Sequence, residues 1–502
     1  MEDIGYAQRM VETNETKRPL VKHINRAQMA WSTVDVEQLI DRDHQARVIW
    51  ELVGGLDLSR FYDAIKSTEE KGGCPAHSPQ LLISLWVYAL TLGINSAREI
   101  ERRCQWDPGF RWLTGLEVVN YHTLSDFRVE KKKEADELFT QLLAVLSSEG
   151  LVNLEQVTLD GTKIQVQASG KSFHREKTLQ EHLQLARQRV KELEEEERGE
   201  GSQRVAKAQE RARREKQERL ELALKELEKV REQKKEEEDR KEARVSSSDP
   251  EARIMKQSGG GFAPSYNTQI STDTVQGIIV DVEVTQAGND YDQLLPAMER
   301  IKERMGKLPQ QVVVDSGFVS RENVEGMAKE KVDLLGALAD DAGKAKRDGT
   351  RFGADQFQYD TTEDRYVCPA GKHLSYEGKQ RKDGRTYYKY KARVQDCQNC
   401  VLRSQCCPKN KKHGRSVVRS KESAAMIAFR RKMESEEARA QYRIRGPMAE
   451  FRNCWIKSKL GLWTFHVRGL VRAQAEALWV CFTHNLQQWM RVRRQKIGLN
   501  PA

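Results

Sequence analysis

Two short apolar runs stand out in the pattern of hydrophobic and polar positions, and an aspartate accompanies each. In QVTLDGTKIQVQAS, apolar residues alternate with polar residues on both sides of Asp160, which predicts a half-buried strand. In QQVVVDSGFVSREN, consecutive valines predict a strand buried on both faces, as in the parallel part of a mixed sheet. Asp315 follows those valines, where a Ser-Gly turn begins. Each aspartate alone also fits ordinary turn chemistry.

The segments around these aspartates predict a mixed sheet flanked by helices. Strand patterns occur at YNTQISTD and GIIVDVEVT, separated by a short turn at Val275–Gln276. Helical patterns at LLPAMERIKERMG and RENVEGMAKE lie before and after the valine strand, and VDLLGAL predicts a further strand. In this order of elements, strands come first and helices then alternate with strands, which indicates an α/β fold. In such a sheet, neighbouring strand ends can bring Asp160 and Asp315 together.

The region 36–150 has mainly helical patterns. SPQLLISLWVYALTLG predicts a helix capped by Ser78, and NSAREIERRCQ predicts a basic helix after Ser96. Thr123 or Ser125 is expected to cap a later helix. A short helix, a turn and a basic helix are what a helix-turn-helix DNA reader requires. A plain helical bundle that packs on the core or dimerises is the alternative.

The highly charged region 174–245 carries two heptad stripes of apolar residues, separated by a break at 199–202. The stripes consist of Leu179, Leu183, Ala186, Val190 and Leu193, then Leu220, Leu224, Leu227 and Val230. The simplest structure is an antiparallel helical hairpin inserted after the first strand. Coiled-coil pairing between two chains and a single solvated helix are the alternatives.

Five of the nine cysteines fall in one segment: Cys368, Cys397, Cys400, Cys406 and Cys407. Their C-x2-C-x5-C spacing, with a Cys-Pro pair upstream, resembles a zinc-binding knuckle. A reducing compartment disfavours disulfides. The predicted ligands of a structural Zn²⁺ are Cys368, Cys397, Cys400 and Cys406, with Cys407 as the alternative fourth ligand.

Composition favours a cytoplasmic protein with a polyanionic partner. The chain has 502 residues, of which 85 are basic and 75 acidic, so its formal net charge is +10 and its pI is near 9.0. This length predicts about three domains. Basic runs cluster towards the C-terminal end, at KNKKHGRSVVRSK, FRRK and VRVRRQK. No apolar run predicts a membrane span, and the N-terminal segment lacks the apolar core of a signal peptide.

A third acidic residue lies in YRIRGPMAEFRNCWIK. Tyr442, Arg445, Glu450 and Lys457 recur there at near-helical steps, and Pro447 is placed to open the helix that carries Glu450. The alternative is a solvated amphipathic helix with charge pairs. Three carboxylates together suit Mg²⁺, which takes oxygen ligands. Two such ions can clamp the attacking and leaving oxygens of a phosphoryl displacement.

These residues resemble the DDE transposases of bacterial insertion sequences, which have an RNase H-like catalytic core. The family signature around the third acid is Tyr, two residues, Arg, three or four residues, Glu, six residues, Lys, and this chain has the four-residue form. The blocks DPEARIMK, GGFAPSYNTQISTDTVQGIIVDVEVT and NDYDQLLP also resemble members that contain a cysteine cluster. The resemblance implies that Asp160, Asp315 and Glu450 are the catalytic, metal-binding acids.

The same resemblance implies an activity and its partners. Two Mg²⁺ or Mn²⁺ ions per site would serve phosphodiester hydrolysis at the element's ends and transfer of the freed 3′-hydroxyl into target DNA. Tyr442, Arg445 and Lys457 would contact DNA phosphate, and the helical region would bind the terminal inverted repeats. A homodimer or larger assembly on double-stranded DNA is expected, in the bacterial cytoplasm and at the nucleoid. The alternatives are a metal-dependent nuclease of the same fold, a catalytically silent, element-derived DNA-binding protein, and a scaffold built around the helical hairpin.

The predicted organisation has a loosely ordered N-terminus, a DNA-binding helical domain, an RNase H-like core in two pieces, two insertions and C-terminal core helices with the third acid. The N-terminus is 1–35, the helical domain 36–150, and the core 151–173 with 246–340. The hairpin insertion is 174–245, the cysteine-rich insertion 341–420, and the C-terminal core helices 421–502. Asn289 and Asp290 precede the LLPAMERI helix pattern. We expect them to cap that helix rather than to act near the metals.

Overall fold

The computed structural model describes residues 33–63, 65, 75–195, 203–234, 236–338, 352–353, 356–360, 362–382, 385–407, 413–420 and 423–496. The strands are β1 (Gln156–Gln165), β2 (Phe173–His174), β3 (Val245–Ser246), β4 (Arg253–Lys256), β5 (Phe262–Asp273), β6 (Ile279–Thr285), β7 (Gln311–Val314), β8 (Asp333–Gly336), β9 (Gln358–Asp360), β10 (Arg365–Val367), β11 (His373–Lys382), β12 (Arg385–Ala392) and β13 (Ser416–Ser420).

The α-helices are α1 (Gln45–Gly54), α2 (Ser59–Asp63), α3 (Pro79–Thr91), α4 (Ala97–Trp106), α5 (Pro108–Thr114), α6 (Tyr121–Glu130), α7 (Lys132–Ser148), α8 (Glu176–Glu195), α9 (Gln203–Glu232), α10 (Glu237–Lys241), α11 (Leu294–Met305), α12 (Arg321–Glu330), α13 (Val394–Gln398), α14 (Arg403–Cys406), α15 (Ala424–Glu434), α16 (Glu436–Tyr442), α17 (Phe451–Ser458) and α18 (Leu470–Lys496). Short 3₁₀ turns lie at Val36–Gln38 and Gly170–Ser172, and a π-helical turn at Gly446–Glu450. None of these helices has the length and hydropathy of a membrane span, within the described part of the chain.

A six-stranded mixed sheet forms the centre of the fold. β1 lies between β5, with which it pairs antiparallel, and β7, with which it pairs parallel. β8 continues the parallel side next to β7, while β4 and β6 both pair antiparallel with β5. The mixed α/β class predicted from the sequence is therefore confirmed. The short strand β4 is an addition that the sequence patterns did not predict.

The valine run of β7 is buried on both faces, as its sequence predicts. Val312, Val313 and Val314 have no solvent-exposed surface. β7 lies between β1 and β8 in the sheet and pairs parallel with both. Burial on both faces explains why no polar residue interrupts the valine run.

The N-terminal helices surround α3, which is buried on nearly all sides rather than along one stripe. Ser78 precedes this helix but its hydroxyl bonds to that of Tyr62 at 3.1 Å instead of capping the helix. The expectation that Thr123 or Ser125 caps the next helix is wrong. Both lie inside α6, whose N-cap is Asn120, because Asn120 has extended backbone and its side chain accepts from the His122 amide at 2.8 Å.

Helix α18 ties the N-terminal helices to the sheet. It packs against α3, α6, α7 and β6. The buried apolar residues of the helical region and of the sheet form a single continuous cluster. Arg128 of α6 and Glu476 of α18 form a buried ion pair at 3.4 Å within this junction. The helical region is thus part of the same packed body as the sheet.

Helices α8 and α9 run antiparallel and bury the heptad positions between them. Leu179 and Leu183 pack with Leu220 and Leu227 in a hydrophobic cluster of their own. Arg187 pairs with Glu221 across the two helices at 2.9 Å. The break at 199–202 lies outside the described residues, as does the side chain of Leu193.

The cysteine-rich segment contains a five-stranded antiparallel sheet in the order β13-β12-β11-β10-β9. Its core includes Leu374, Tyr390 and Val417. The sequence patterns predicted the segment as an insertion but not this sheet.

Candidate active site

Asp160 and Asp315 lie side by side where two parallel strands adjoin. In the register of β1 and β7, Leu159 pairs with Val314. The next residue after each of these is an aspartate, Asp160 and Asp315. Asp160 is in the middle of β1, which continues to Gln165, whereas Asp315 follows the last residue of β7. The Asp315 carboxylate accepts a hydrogen bond from the Gly317 amide at 2.8 Å, which fixes it at the start of the turn.

The environment of Asp160 disfavours its charged form. Burial raises the pKa of Asp160 to about 6; Arg445 opposes the shift, while the charges of Asp315 and Asp290 add to it. A strand carboxylate buried beside two other acidic groups is a place of concentrated negative potential. A cation bound there would relieve that potential, because an opposite charge favours the ionised carboxylate.

Arg445 lies between the first and third acids. Its guanidinium is 3.7 Å from the Asp160 carboxylate and 2.5 Å from that of Glu450. Because burial opposes but does not cancel these attractions, the pKa of the Arg445 guanidinium is raised by Asp160, Tyr442 and Glu450. The Glu450 side chain is 58% exposed and accepts from Arg445 at the rim of the site.

The chain reaches this position through the π-helical turn at Gly446–Glu450, which leads directly into α17. Pro447 stands at the beginning of that turn, where its missing N–H costs nothing, as the sequence predicts for a helix opener. π-Helical turns are frequent at functional sites. Here the turn lies between Arg445 and α17, with Glu450 as its last residue.

Two residues of α17 face β1. Asn453, which the sequence analysis did not select, donates from Nδ2 to the Asp160 carboxylate at 2.9 Å. One turn later, Lys457 donates from Nζ to the Lys163 carbonyl at 3.0 Å. Burial lowers the pKa of Lys457, although Asp160 opposes that shift. The four-residue spacing of Asn453 and Lys457 was the available signal, since residues i and i+4 share a helix face.

Asp290 joins the site, and the expectation that it caps α11 is wrong. The residue before α11 is Gln293, which makes no side-chain cap bond. The Asp290 carboxylate instead accepts from the Asn267 amide group at 2.7 Å and from that of Gln269 at 2.6 Å. A Cβ at Gly161 would collide with this carboxylate, so glycine there permits the close approach. Asn289 lies exposed next to it.

Lys163 approaches the same carboxylate from β1, with Nζ 3.6 Å from Asp290 Oδ1. Tyr442 lies farther back, where its ring packs against the buried cluster of Val313, Leu335 and Ala438. The signature residues thus lie in different settings. Arg445 bridges two acids, Lys457 contacts the strand backbone, and Tyr442 contacts the core behind the valine strand.

Carboxylate oxygens are the donor set that Mg²⁺ prefers, so Asp160, Asp315 and Asp290 suit such an ion chemically. In the described part of the chain, however, no three acidic, histidine or cysteine side chains converge closely enough to hold a metal ion. Glu450, the third acid of the signature, is paired with Arg445.

The cysteines of the insertion surround one cavity, which is lined by Cys368, Cys397, Cys400, Cys406 and Cys407. Burial raises the pKa of the Cys406 thiol to about 12, and the neighbouring Cys407 adds to this. The described thiols do not form a group of metal-ligating geometry. The predicted zinc site therefore receives no support from the structure.

Two segments of the chain match known protein families. Residues 34–130 match a family described as Transposase domain (DUF772), and residues 367–490 match one described as Transposase DDE domain. The second match contains Glu450 and the signature residues around it. Together, the two matches support a DDE transposase of the insertion-sequence type. No curated protein and no solved structure matches it.

In this transposase, Asp160 and Asp315 lie outside both matched segments. Their assignment as the first two acids therefore depends on their positions in the sheet. The helical region that contains α1–α6 lies within the first match, so this region belongs to a transposase domain as well.

Proposed function

We propose that this transposase binds the terminal inverted repeats of an insertion sequence, hydrolyses a phosphodiester at each end and joins the freed 3′-hydroxyl to target DNA. The single observation that carries the proposal is the register of β1 and β7, which sets Asp160 and Asp315 side by side. The third acid of the signature lies on the adjoining turn, linked to Asp160 through Arg445. The mixed sheet with these acids at adjacent parallel strands supports an RNase H-like core.

Asp160, Asp315 and Glu450 would hold two Mg²⁺ or Mn²⁺ ions through carboxylate oxygens. When bound, these ions would stabilise the charge that develops on the attacking and leaving oxygens of the displacement. Asn453 would hold the Asp160 carboxylate in one orientation through its 2.9 Å hydrogen bond. Arg445 would leave Glu450 and bind a DNA phosphate, since a guanidinium matches phosphate as well as carboxylate.

The two reaction steps need no covalent link between protein and DNA. In the first, water attacks phosphorus, the P–O3′ bond breaks, and a 3′-hydroxyl and a 5′-phosphate remain. In the second, that 3′-hydroxyl attacks a target phosphodiester, forms the new P–O bond and releases a target 3′-hydroxyl. Both are in-line displacements at phosphorus, so one carboxylate site serves both. Two ends must be joined, so we propose at least a dimer on DNA.

The test is cleavage and strand transfer on labelled duplexes that carry the element's own ends, with Mg²⁺ or Mn²⁺. Wild type is expected to cut and join. Asp160→Asn, Asp315→Asn and Glu450→Gln are expected to bind the same duplex without cutting, because each keeps its shape and loses its charge. Asp292→Asn, an exposed acid near Asp290, is the matched control and is expected to act as wild type.

Each alternative function has its own outcome in this assay. Cutting without any joined product would support a nuclease of the same fold. Wild-type binding without cutting would support a silent DNA-binding protein. Full activity of Glu450→Gln would show that the third acid is assigned to the wrong residue.

A further inference from the structure

A cationic groove lies on the side of α17 away from the carboxylates. It has a volume of about 520 Å³ and lies between the start of α1, helix α17 and the end of α18. Three arginines line it: Arg452 of α17, and Arg491 and Arg494 of α18. Neither the signature nor the proposed chemistry uses these residues.

Arg452 is a buried cation that lies 5.3 Å from the centroid of the Phe451 ring and pairs with no carboxylate among the described residues. Its residue surface is 9% exposed, and its Nε has no hydrogen-bond partner among the described residues. The guanidinium lies against Gly277, where any Cβ would collide with it. A buried unpaired charge is costly, so a groove that retains one is expected to receive an opposite charge.

The neighbouring groups strengthen the positive potential at the inner wall of the groove. Burial lowers the pKa of Arg452, and the nearby Arg491 lowers it further. Arg494 donates to the Asp43 backbone carbonyl at 3.3 Å, so that contact does not neutralise its charge. Asp41 and Asp43 also line the groove, but both are exposed at its outer rim, where water screens them.

Aromatic and amide groups complete the lining. Phe451 is 49% exposed, and the Trp455 indole N–H donates to Gln487 at 3.5 Å. The Gln488 side-chain oxygen is buried without a partner among the described residues. Cations beside exposed aromatic faces are typical of surfaces that hold a nucleic-acid strand.

The groove and the carboxylate site share helix α17. Asn453 faces Asp160, while Arg452 and Trp455 face the groove. The diameter of a helix, about 10–12 Å with side chains, corresponds to roughly three nucleotides at 3.4 Å per nucleotide of one strand. A strand whose scissile phosphate lies at the carboxylates thus has further phosphates within reach of the groove.

We propose that Arg452, Arg491 and Arg494 form a phosphodiester-binding site that holds the DNA backbone on the far side of α17 from the carboxylates. This inference rests on the proposed function, because it takes DNA as the ligand. The site positions DNA and takes no part in the chemical step.

The test measures binding of the full chain to a labelled duplex carrying the element's end, over a range of salt concentrations. All proteins carry Asp160→Asn, so the result does not depend on cleavage. Arg491→Gln with Arg494→Gln is expected to weaken binding about 10- to 60-fold near 0.1 M salt and to make the salt dependence shallower by about two phosphate contacts. Arg452→Gln is expected to weaken it by several-fold, with thermal melting as the check on folding.

Arg472→Gln is the matched control. Arg472 is exposed near the start of α18, the helix that also carries Arg491 and Arg494, and it does not line the groove. It is expected to bind like the parent. Equal losses in the control and in the double variant would overturn the proposal, since they would reflect overall charge.

A second arm separates DNA phosphate from free phosphate. Inorganic phosphate is added to the parent and the double variant, with chloride at equal ionic strength as reference. Stabilisation of the parent alone, with unchanged DNA binding by the double variant, would assign the groove to a free anion and overturn the proposal. The two proposals can fail separately. If wild type does not cut the duplex, the proposed function is contradicted. The arginine site is still tested by the salt dependence of DNA binding in the double variant.

Discussion

At the residue scale, Asp290 adds a fourth carboxylate to the site without belonging to the signature. Its two amide donors, Asn267 and Gln269, are fully buried in β5, so its position is fixed by the sheet. Together with Asp315 it raises the pKa of Asp160 beyond the effect of burial. Asp290 therefore increases the negative potential that a metal ion would meet.

We predict that Asp290→Asn weakens Mn²⁺ binding and slows cleavage by about 10- to 100-fold, as loss of an outer metal-site partner does. The asparagine oxygen still accepts from Asn267 and Gln269, so the melting temperature is expected to change little. Electron paramagnetic resonance of free Mn²⁺ measures the affinity, and Asp292→Asn is the control. Unchanged Mn²⁺ affinity in Asp290→Asn would remove Asp290 from the site.

His484 gives a prediction about pH. Burial lowers the pKa of His484 to about 4; its bond to the Gly277 carbonyl opposes this, while Arg452 and Arg491 add to it. The ordinary value is near 6.5, so between about pH 6.5 and 4 the unfolded chain binds a proton that the folded chain does not. The neutral ring therefore makes its full contribution to the free energy of unfolding above pH 6.5, and this contribution is lost as the pH falls from 6.5 towards 4.

His484→Gln is expected to make the decline of melting temperature from pH 6.5 to 4.5 less steep than in wild type, because glutamine does not titrate. Differential scanning calorimetry at several pH values measures this. His122→Gln, at an exposed position, is the control and is expected to leave the slope unchanged. An unchanged slope in His484→Gln would contradict the prediction.

Among the site residues, Asp160, Asp315 and the signature residues could be selected from the sequence, whereas Asn453 and Asp290 could not. A hydrogen bond such as that from Asn453 to Asp160 joins residues 293 positions apart. The spacing of Asn453 and Lys457 places both on one helix face, but no local pattern encodes that this face of α17 meets β1. For Asp290, the local context favoured a helix cap, but the sheet offered two buried amide donors, and these determine its orientation.

At the element scale, the helical hairpin is joined to the sheet by a buried charge network. Glu226 of α9 is 1% exposed and accepts from Arg253 of β4 at 2.5 Å, from Lys229 at 2.7 Å and from Gln286 at 3.1 Å. Lys229 is largely exposed, so Arg253 is the main buried cation. Removing one partner from a buried pair leaves the other charge desolvated.

We predict that Arg253→Met destabilises the protein by roughly 3 kcal/mol, the lower part of the range for a broken buried pair, since Lys229 remains. Arg187→Met removes the exposed pair with Glu221 on the same hairpin and is expected to cost less than about 1 kcal/mol. Chemical denaturation measures both, and hydrogen exchange in α9 locates the effect. Equal losses in the two variants would show that the Glu226 network does not hold the hairpin.

The main elements of the central sheet followed from local pattern, and those of the insertion did not. Alternation and the valine run predicted β1, β5, β6 and β7 because burial imposes those periods. Strand β12, with the sequence RTYYKYKA, mixes lysines with tyrosines, so its apolar face is visible only when β11 and β13 are in place. The prediction of the N-cap of α6 was wrong for a similar reason. Asn120, Thr123 and Ser125 have comparable preferences for the N-cap position, and the backbone conformation decides between them.

At the scale of the whole molecule, the helical region and the sheet share one hydrophobic core. The Trp479 indole N–H of α18 donates to the Arg128 carbonyl at 3.3 Å, and the Arg128 guanidinium donates to the Asn95 carbonyl at 2.9 Å. Trp86 and Trp479 are both almost fully buried. Length and composition predicted separate domains, but they contain no information on how much surface two regions share.

We predict that a fragment of residues 36–150 does not unfold cooperatively, although it contains nearly all of one matched transposase domain. Without α18, the apolar surfaces of α3, α6 and α7 would be exposed to water, and Arg128 would lose the carboxylate of Glu476. Both losses oppose folding, because exposed apolar area and an unpaired cation are each unfavourable. Circular dichroism during heating is the measurement, with the full chain as control. A sharp transition in the fragment near that of the full chain would show that the helices fold as an independent domain, and the shared core would then be a docking contact between two folded units.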